Sequence, residues 1–124
     1  VSHFTSIKVQ FKNKEILKGA LVAQGHEVLE NTYVRGYGGN RVQADLVVRR
    51  SNGYDIGFRQ RGDSLEMIAD FWGTGVSAEA FLAPIRQAYT REQLLATAAE
   101  KGFTVESESV DEKGQIRIVL GRWA

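Results

Sequence analysis

Asn52 and Gly53 stand between two runs, Val42 to Arg50 and Tyr54 to Gln60, that are rich in β-branched and aromatic residues. Asn-Gly best tolerates the positive φ angles of a type I′ turn, so this stretch predicts a β-hairpin. With Asn52 and Gly53 as the loop, the register pairs Arg50 with Asp55, Val48 with Gly57 and Leu46 with Arg59 on one face. It pairs Val47 with Phe58 and Arg49 with Ile56 on the other. Tyr54, Ile56 and Phe58 then form the face turned to a core. The opposite face is half apolar and half charged: Leu46 and Val48 lie beside a bare Gly57, rimmed by Arg50, Asp55 and Arg59. An Arg50–Asp55 pair contributes about 0.2–1 kcal/mol, enough to favour a register but not to hold a fold.

The rest of the chain supplies the scaffold. Ile7, Val9 and Phe11 alternate with polar residues as in a strand. Asn13 is placed to cap a helix whose Ile16, Leu17, Ala20 and Leu21 share a face, and Gly25 to end it. His26 to Leu29 reads as a short strand leading into Tyr33 to Arg41. There Gly36, Gly38 and Gly39 argue for a bulge or loop rather than a persisting strand. Arg61 to Ser64 is a turn, Leu65 to Ala69 a strand ending near Asp70 to Trp72, and Gly73 to Gly75 a loop. Ser77 caps a second helix with Val76 and Phe81 as a hydrophobic staple, and Pro84 either kinks it or marks its true start. Thr90 and Gln93 have the spacing that opens a third helix, Arg91 to Lys101, stopped by Gly102, before a terminal hairpin of Phe103 to Val110 and Gln115 to Arg122.

The expected architecture is α+β: a mostly antiparallel sheet with about three helices on one face, in a single domain over residues 1–124. Leu17 to Val28 and Leu94 to Val105 echo one another at an offset of 77, as a duplicated strand-helix-strand-strand unit would.

Composition narrows the function classes. The chain has 124 residues, 43% of them hydrophobic, sufficient for one core. Sixteen basic and fifteen acidic residues leave a net charge of +1. No global field therefore draws the chain to a polyanion or an anionic membrane, and such a role needs a local patch. The lack of cysteine excludes thiol chemistry and suits a reducing compartment, cytosol or stroma. No apolar run approaches the roughly 18 residues of a membrane span, and the start alternates instead of forming a signal-peptide core, so a soluble, unexported protein is expected.

Few residues offer chemistry. Arg35-Gly36-Tyr37-Gly38 copies the opening of an RNA-recognition strand, but Gly39, Asn40 and Arg41 replace the stacking positions. The same glycines lack the lysine and the strand-to-helix setting of a phosphate loop. His3 and His26 stand apart from any acidic cluster, which disfavours metal binding or acid–base work. Asp45, Asp55 and Asp70 lie in or near strands and would form a carboxylate site only if the fold gathered them; ordinary arginine-paired charges are the simpler reading. Tyr37, Trp72 and Trp123 are large aromatics at element ends, the kind that anchor interfaces.

Several strings taken together carry a resemblance: Ser2-His3-Phe4-Thr5, Val34-Arg35-Gly36-Tyr37, Ala44-Asp45, Tyr54-Asp55-Ile56-Gly57-Phe58, Ala69-Asp70 and Arg122-Trp123. In their order they resemble the hypothetical chloroplast reading frame thirty-five family, a domain of unknown function found in cyanobacteria and algal plastids. The resemblance spans essentially the whole chain and implies a photosynthetic or related setting. It implies no catalytic or binding residues.

These readings favour a non-enzymatic protein-interaction module, an accessory or assembly factor, with a protein partner and no cofactor or metal. The candidate surface comprises Arg35, Tyr37, Arg41, Leu46, Val48, Arg50, Asp55, Arg59 and Trp123. The alternatives are nucleic-acid (RNA) binding through a local arginine patch and a small enzyme with a strand-borne carboxylate site.

Overall fold

A computed structural model describes residues 3–122. The hairpin forms as strands β3 (Arg41–Arg49) and β4 (Ile56–Arg61), but one residue away from the expected register: Leu46 faces Phe58, Val47 faces Gly57 and Val48 faces Ile56. The connection is wider than a two-residue turn. Gly53 has a positive φ of 84° but Asn52 does not, and the Gly53 N–H closes a turn on the Arg50 carbonyl at 3.2 Å. Asn52 Oδ1 accepts from the Tyr54 N–H at 3.0 Å, while Asp55 leaves the ladder and donates its N–H to the Arg35 carbonyl at 3.1 Å. A slip of one residue exchanges the faces of a strand. Leu46 and Val48 therefore share the core face with Ile56 and Phe58, and all four are buried. The outward, half-apolar face expected around Leu46 and Val48 does not form.

These strands belong to a five-stranded antiparallel sheet in the order β1 (Thr5–Lys8), β5 (Ser64–Ala69), β4, β3, β2 (Glu27–Arg35). One face carries the main core. Leu17, Ala20 and Leu21 of helix α1 (Lys14–Ala23), and Phe81, Leu82, Ile85, Ala88 and Tyr89 from the first half of helix α3 (Ala78–Glu100), cover Leu46, Val48, Ile56, Phe58, Leu65, Met67 and Ala69. The expected caps are in place. Asn13 Oδ1 accepts the Ile16 N–H at 3.1 Å, Ser77 Oγ accepts the Ala80 N–H at 3.1 Å, and Gly25 takes a positive φ of 86°. Helix α3, however, runs unbroken through Pro84 and through Thr90, so no separate helix opens at Arg91.

The sheet's second face is covered by the chain's own hairpin. Strand β2 runs nine residues instead of stopping at Leu29, and the glycines form a tight 3-10 turn, Tyr37–Gly39, at the tip between β2 and β3. Gly38 and Gly39 supply the positive φ angles (63° and 81°) that a sharp reversal needs. Midway, Asn31 takes φ 51° and drops out of a ladder that pairs Glu30 with Leu46 and Thr32 with Ala44. Beyond that point the tip crosses back over β4 and β5. Val34, Ala44, Val47 and Ile68 make a second buried cluster, joined by Phe4 and Val42. Gly57 permits this approach, since a Cβ there would sit 2.3 Å from Val34 Cγ2 and 3.0 Å from Ala44 Cβ.

The chain divides into two compact units, Val1–Tyr89 and Thr90–Ala124. The second contains strands β6 (Phe103–Val110) and β7 (Ile116–Arg122), paired in a two-stranded sheet with a bulge between Val105 and Ser107. Arg91 pairs with Glu108 within it. Strand, helix, strand, strand recurs as β1-α1-β2-β3 and β5-α3-β6-β7, with the four-residue α2 (Phe71–Thr74) interposed the second time. The first hairpin joins the large sheet, whereas the second forms a sheet by itself. Among the described residues no helix is long and apolar enough to cross a membrane.

Candidate functional site

Strands β4 and β5 end their shared ladder at the pair Ile56–Ala69. Asp55 and Asp70 come next on either strand, at one end of the sheet, and both are buried. The tip of the β2–β3 hairpin lands on this end. Arg35, Gly36 and Tyr37 are thereby held by two carboxylates that lie fifteen residues apart in sequence.

Asp55 is saturated. Its Oδ2 accepts from Arg35 Nε at 2.8 Å, the Arg35 N–H at 3.0 Å and Arg49 Nη1 at 2.7 Å, while Oδ1 accepts from Arg35 Nη2 at 3.0 Å and the Arg50 N–H at 2.9 Å. Burial by itself would raise the Asp55 pKa. The hydrogen bonds from the Arg35 side chain and from the backbone N–H groups of Arg50 and Arg35, with the charge of Arg49, outweigh it and hold the carboxyl below its ordinary range. The Arg35 guanidinium is held charged by the same bonds. Such a site forms a structural clamp rather than a reactive group, because every lone pair already has a donor.

Asp70 differs. Its Oδ2 accepts the Tyr37 N–H at 3.0 Å, and its Oδ1 has no partner among the described residues. The side chain does not cap α2, although it immediately precedes that helix. Gly36 makes the close approach possible: a Cβ at that position would lie 2.7 Å from Phe4 Cζ and 3.2 Å from Asp70 Cβ. Above this corner three rings meet. His3 and Trp72 are stacked at 5.8 Å, and Tyr37 stands edge-on to both, at 5.6 Å from His3 and 5.9 Å from Trp72. Trp72 is 75% exposed and Tyr37 50%, so the rings present their surface to solvent instead of packing into a core. The loop behind them is fixed: Arg50 Nη1 and Asn52 Nδ2 donate to the Thr74 carbonyl at 2.6 and 3.1 Å, and the Tyr54 ring occupies the space a Cβ on Gly73 would need.

The candidate residues thus separate. Arg35 and Asp55 form the clamp, and Tyr37 belongs to the aromatic corner. Arg41 stands over the half-exposed Tyr33 ring at 5.1 Å, and Arg50 donates to the carbonyls of Tyr54 and Thr74. Arg59 pairs with Glu66, as does Arg61. Leu46 and Val48 are core residues, and Trp123 lies outside the described residues. Among the described residues Arg35, Arg49, Arg59 and Arg61 are thus paired with carboxylates and Arg50 with carbonyls. Asp45 does not join the other two aspartates; its carboxylate accepts the Gln60 N–H at 2.7 Å. Among the described residues no three His, Cys, Asp or Glu side chains are placed to hold a metal. His26 packs against Phe81, with its pKa lowered by burial and then by Arg50.

Sequence reasoning singled out His3 and Trp72 only one at a time and missed their meeting with Tyr37. The available signal was the set of strings that carry the family resemblance. His3-Phe4, Val34 to Tyr37, Ala44, Tyr54 to Gly57 and Asp70 all converge on the clamp, the aromatic corner or the small cluster beneath them.

Residues 20–119 match a family described as "Protein of unknown function (DUF1257)". The chain is 36% identical over 127 residues to "Uncharacterized protein ycf35" of Guillardia theta, covering 99% of this chain and 98% of the relative. It is 31% identical over 131 residues to the protein of that name in Cyanophora paradoxa and 25% over 126 residues to that in Pyropia yezoensis, with the same coverage. No solved structure matches it.

Proposed function

This chain belongs to the DUF1257 family, and we propose that it acts as a non-enzymatic protein-binding module, an accessory or assembly factor in a photosynthetic or related setting. The contact surface is the aromatic corner of His3, Tyr37 and Trp72. One observation carries this reading: a tryptophan three-quarters exposed and a tyrosine half exposed are held together at a rigidly braced end of the sheet. Exposed Trp and Tyr on a fixed support are the residues from which interface hot spots are made, because they bury much area at little conformational cost. The clamp below serves as the brace, which keeps the tip in place before any partner arrives. The setting is supported by the chain's similarity to the proteins named ycf35 in Guillardia theta and Cyanophora paradoxa.

The test is affinity capture from a native lysate with wild-type chain and with Tyr37→Ala/Trp72→Ala, each checked by circular dichroism. Specific proteins held by the wild type and lost by the double variant support the surface. Identical capture by both removes it. Arg35→Ala is a poorer probe, since it breaks the Asp55 clamp as well.

A further inference from the structure

Among the described residues the buried Asp70 side chain has one hydrogen-bond donor and no cationic partner, and its Oδ1 has no partner at all. Buried charges are ordinarily paired, and an unmatched oxygen in such a place is costly to keep. The nearby cations do not serve it: Arg35 and Arg49 point their donors at Asp55, and Arg50 at two carbonyls. Tyr37, whose N–H is that one donor, and Trp72, two residues on from Asp70, contribute edge-on rings whose faces carry negative quadrupole, with the indole the stronger. Among the described residues Trp72 is the most exposed large hydrophobic, and the ring contacts it makes there are with His3 and Tyr37.

We infer that the aromatic corner takes a basic side chain, an ammonium or guanidinium, from the partner protein, with Asp70 Oδ1 as the acceptor and the Trp72 and Tyr37 rings as its walls. The inference rests on the protein-binding reading above. It identifies the partner's contacting group by charge: a carboxylate or phosphate placed here would meet Asp70 and the ring faces with the wrong sign, whereas a cation satisfies both at once.

The experiment is a titration of the intact chain, followed by proton–nitrogen NMR, with three blocked tripeptides: acetyl-Gly-Arg-Gly-amide, its Lys counterpart and its Glu counterpart. The Arg or Lys peptide is expected to give saturable shifts at the Tyr37 amide and the Trp72 indole N–H, with the Glu peptide giving none. Affinity for the basic peptide should fall at least tenfold in Asp70→Asn and in Trp72→Ala, with the rest of the spectrum unchanged. Absence of shifts with both basic peptides, equal shifts with the Glu peptide, or undiminished affinity in both variants overturns the inference. Lysate capture separates the two readings. Partners lost by Tyr37→Ala/Trp72→Ala but kept by Asp70→Asn sink the cation site and leave the binding surface standing, while capture indifferent to all of these substitutions sinks both.

Discussion

Asp55 and Asp70 occupy equivalent places at the ends of adjacent strands, are equally buried, and touch residues two apart on the same hairpin tip, yet their surroundings are opposite. Among the described residues Asp55 has five donors, from two guanidinium groups and two backbone amides, and Asp70 has one backbone amide. The lesson is that burial of a charge does not by itself reveal its role. A saturated carboxylate fixes structure, because no ligand can improve on its bonds. An unsaturated one retains a capacity that something else can fill.

Substitutions can break or sharpen this contrast. The largest effect is expected of Asp55→Ala, which strands two arginines around an empty site and should cost about 3 kcal/mol or more in urea unfolding, as loss of one member of a buried pair does. A loss below about 1 kcal/mol would mean that the clamp is not what holds the tip. Gly57→Ala drives a methyl into Val34 and Ala44 and lifts the tip from both aspartates; a loss of about 1–3 kcal/mol is expected, partly recovered by Val34→Ala in a double-mutant cycle.

The amide isosteres make the comparison direct. Asp55→Asn should lose about 2 kcal/mol, since an amide nitrogen then faces guanidinium donors, whereas Asp70→Asn should cause no loss of stability. Equal losses would erase the distinction drawn here.

Acid gives a smaller and graded effect. The folded-state pKa of Asp55 is held below its ordinary value of 3.8, so the folded protein binds fewer protons than the unfolded chain as the pH drops. The stability this provides is complete above that value and is lost as pH falls through the lowered one. Urea midpoints between pH 5 and 2 should therefore fall less steeply in Asp55→Asn than in wild type. Some slope will persist, because Glu66, Glu79 and Glu108 are also held low by their arginines. The smallest change is expected of Trp72→Ala: a side chain 75% exposed should contribute within about 0.5 kcal/mol to thermal unfolding.

Local grammar was readable from the chain. The caps at Asn13 and Ser77, the stop at Gly25 and the strands of β1, β3, β4, β5, β6 and β7 all follow from spacing and turn residues. The hairpin existed as expected but its register did not. Turn chemistry at Asn52-Gly53 predicted a two-residue loop; the loop has six, with Asp55 out of the ladder and accepting the Arg50 N–H, in a register that buries Leu46 and Val48. The glycines at 36, 38 and 39 were read as the end of a strand. They make a tip that crosses the sheet, which is a long-range fact no local window contains.

By itself, then, the sequence determined the class of fold, the places where helices begin and strands turn, and the family, because each depends on neighbours a few residues away or on strings kept in order. Only the tertiary structure decided which aspartate is satisfied and which is not. It alone gathered the rings of His3, Tyr37 and Trp72, residues drawn from three separate parts of the chain, and bound the Tyr37 N–H to the one that is not. Hydrogen-bond satisfaction is a sum over everything that packs around a group, and that sum is set by the crossing of the β2–β3 tip over β4 and β5 rather than by any residue's own neighbours in sequence.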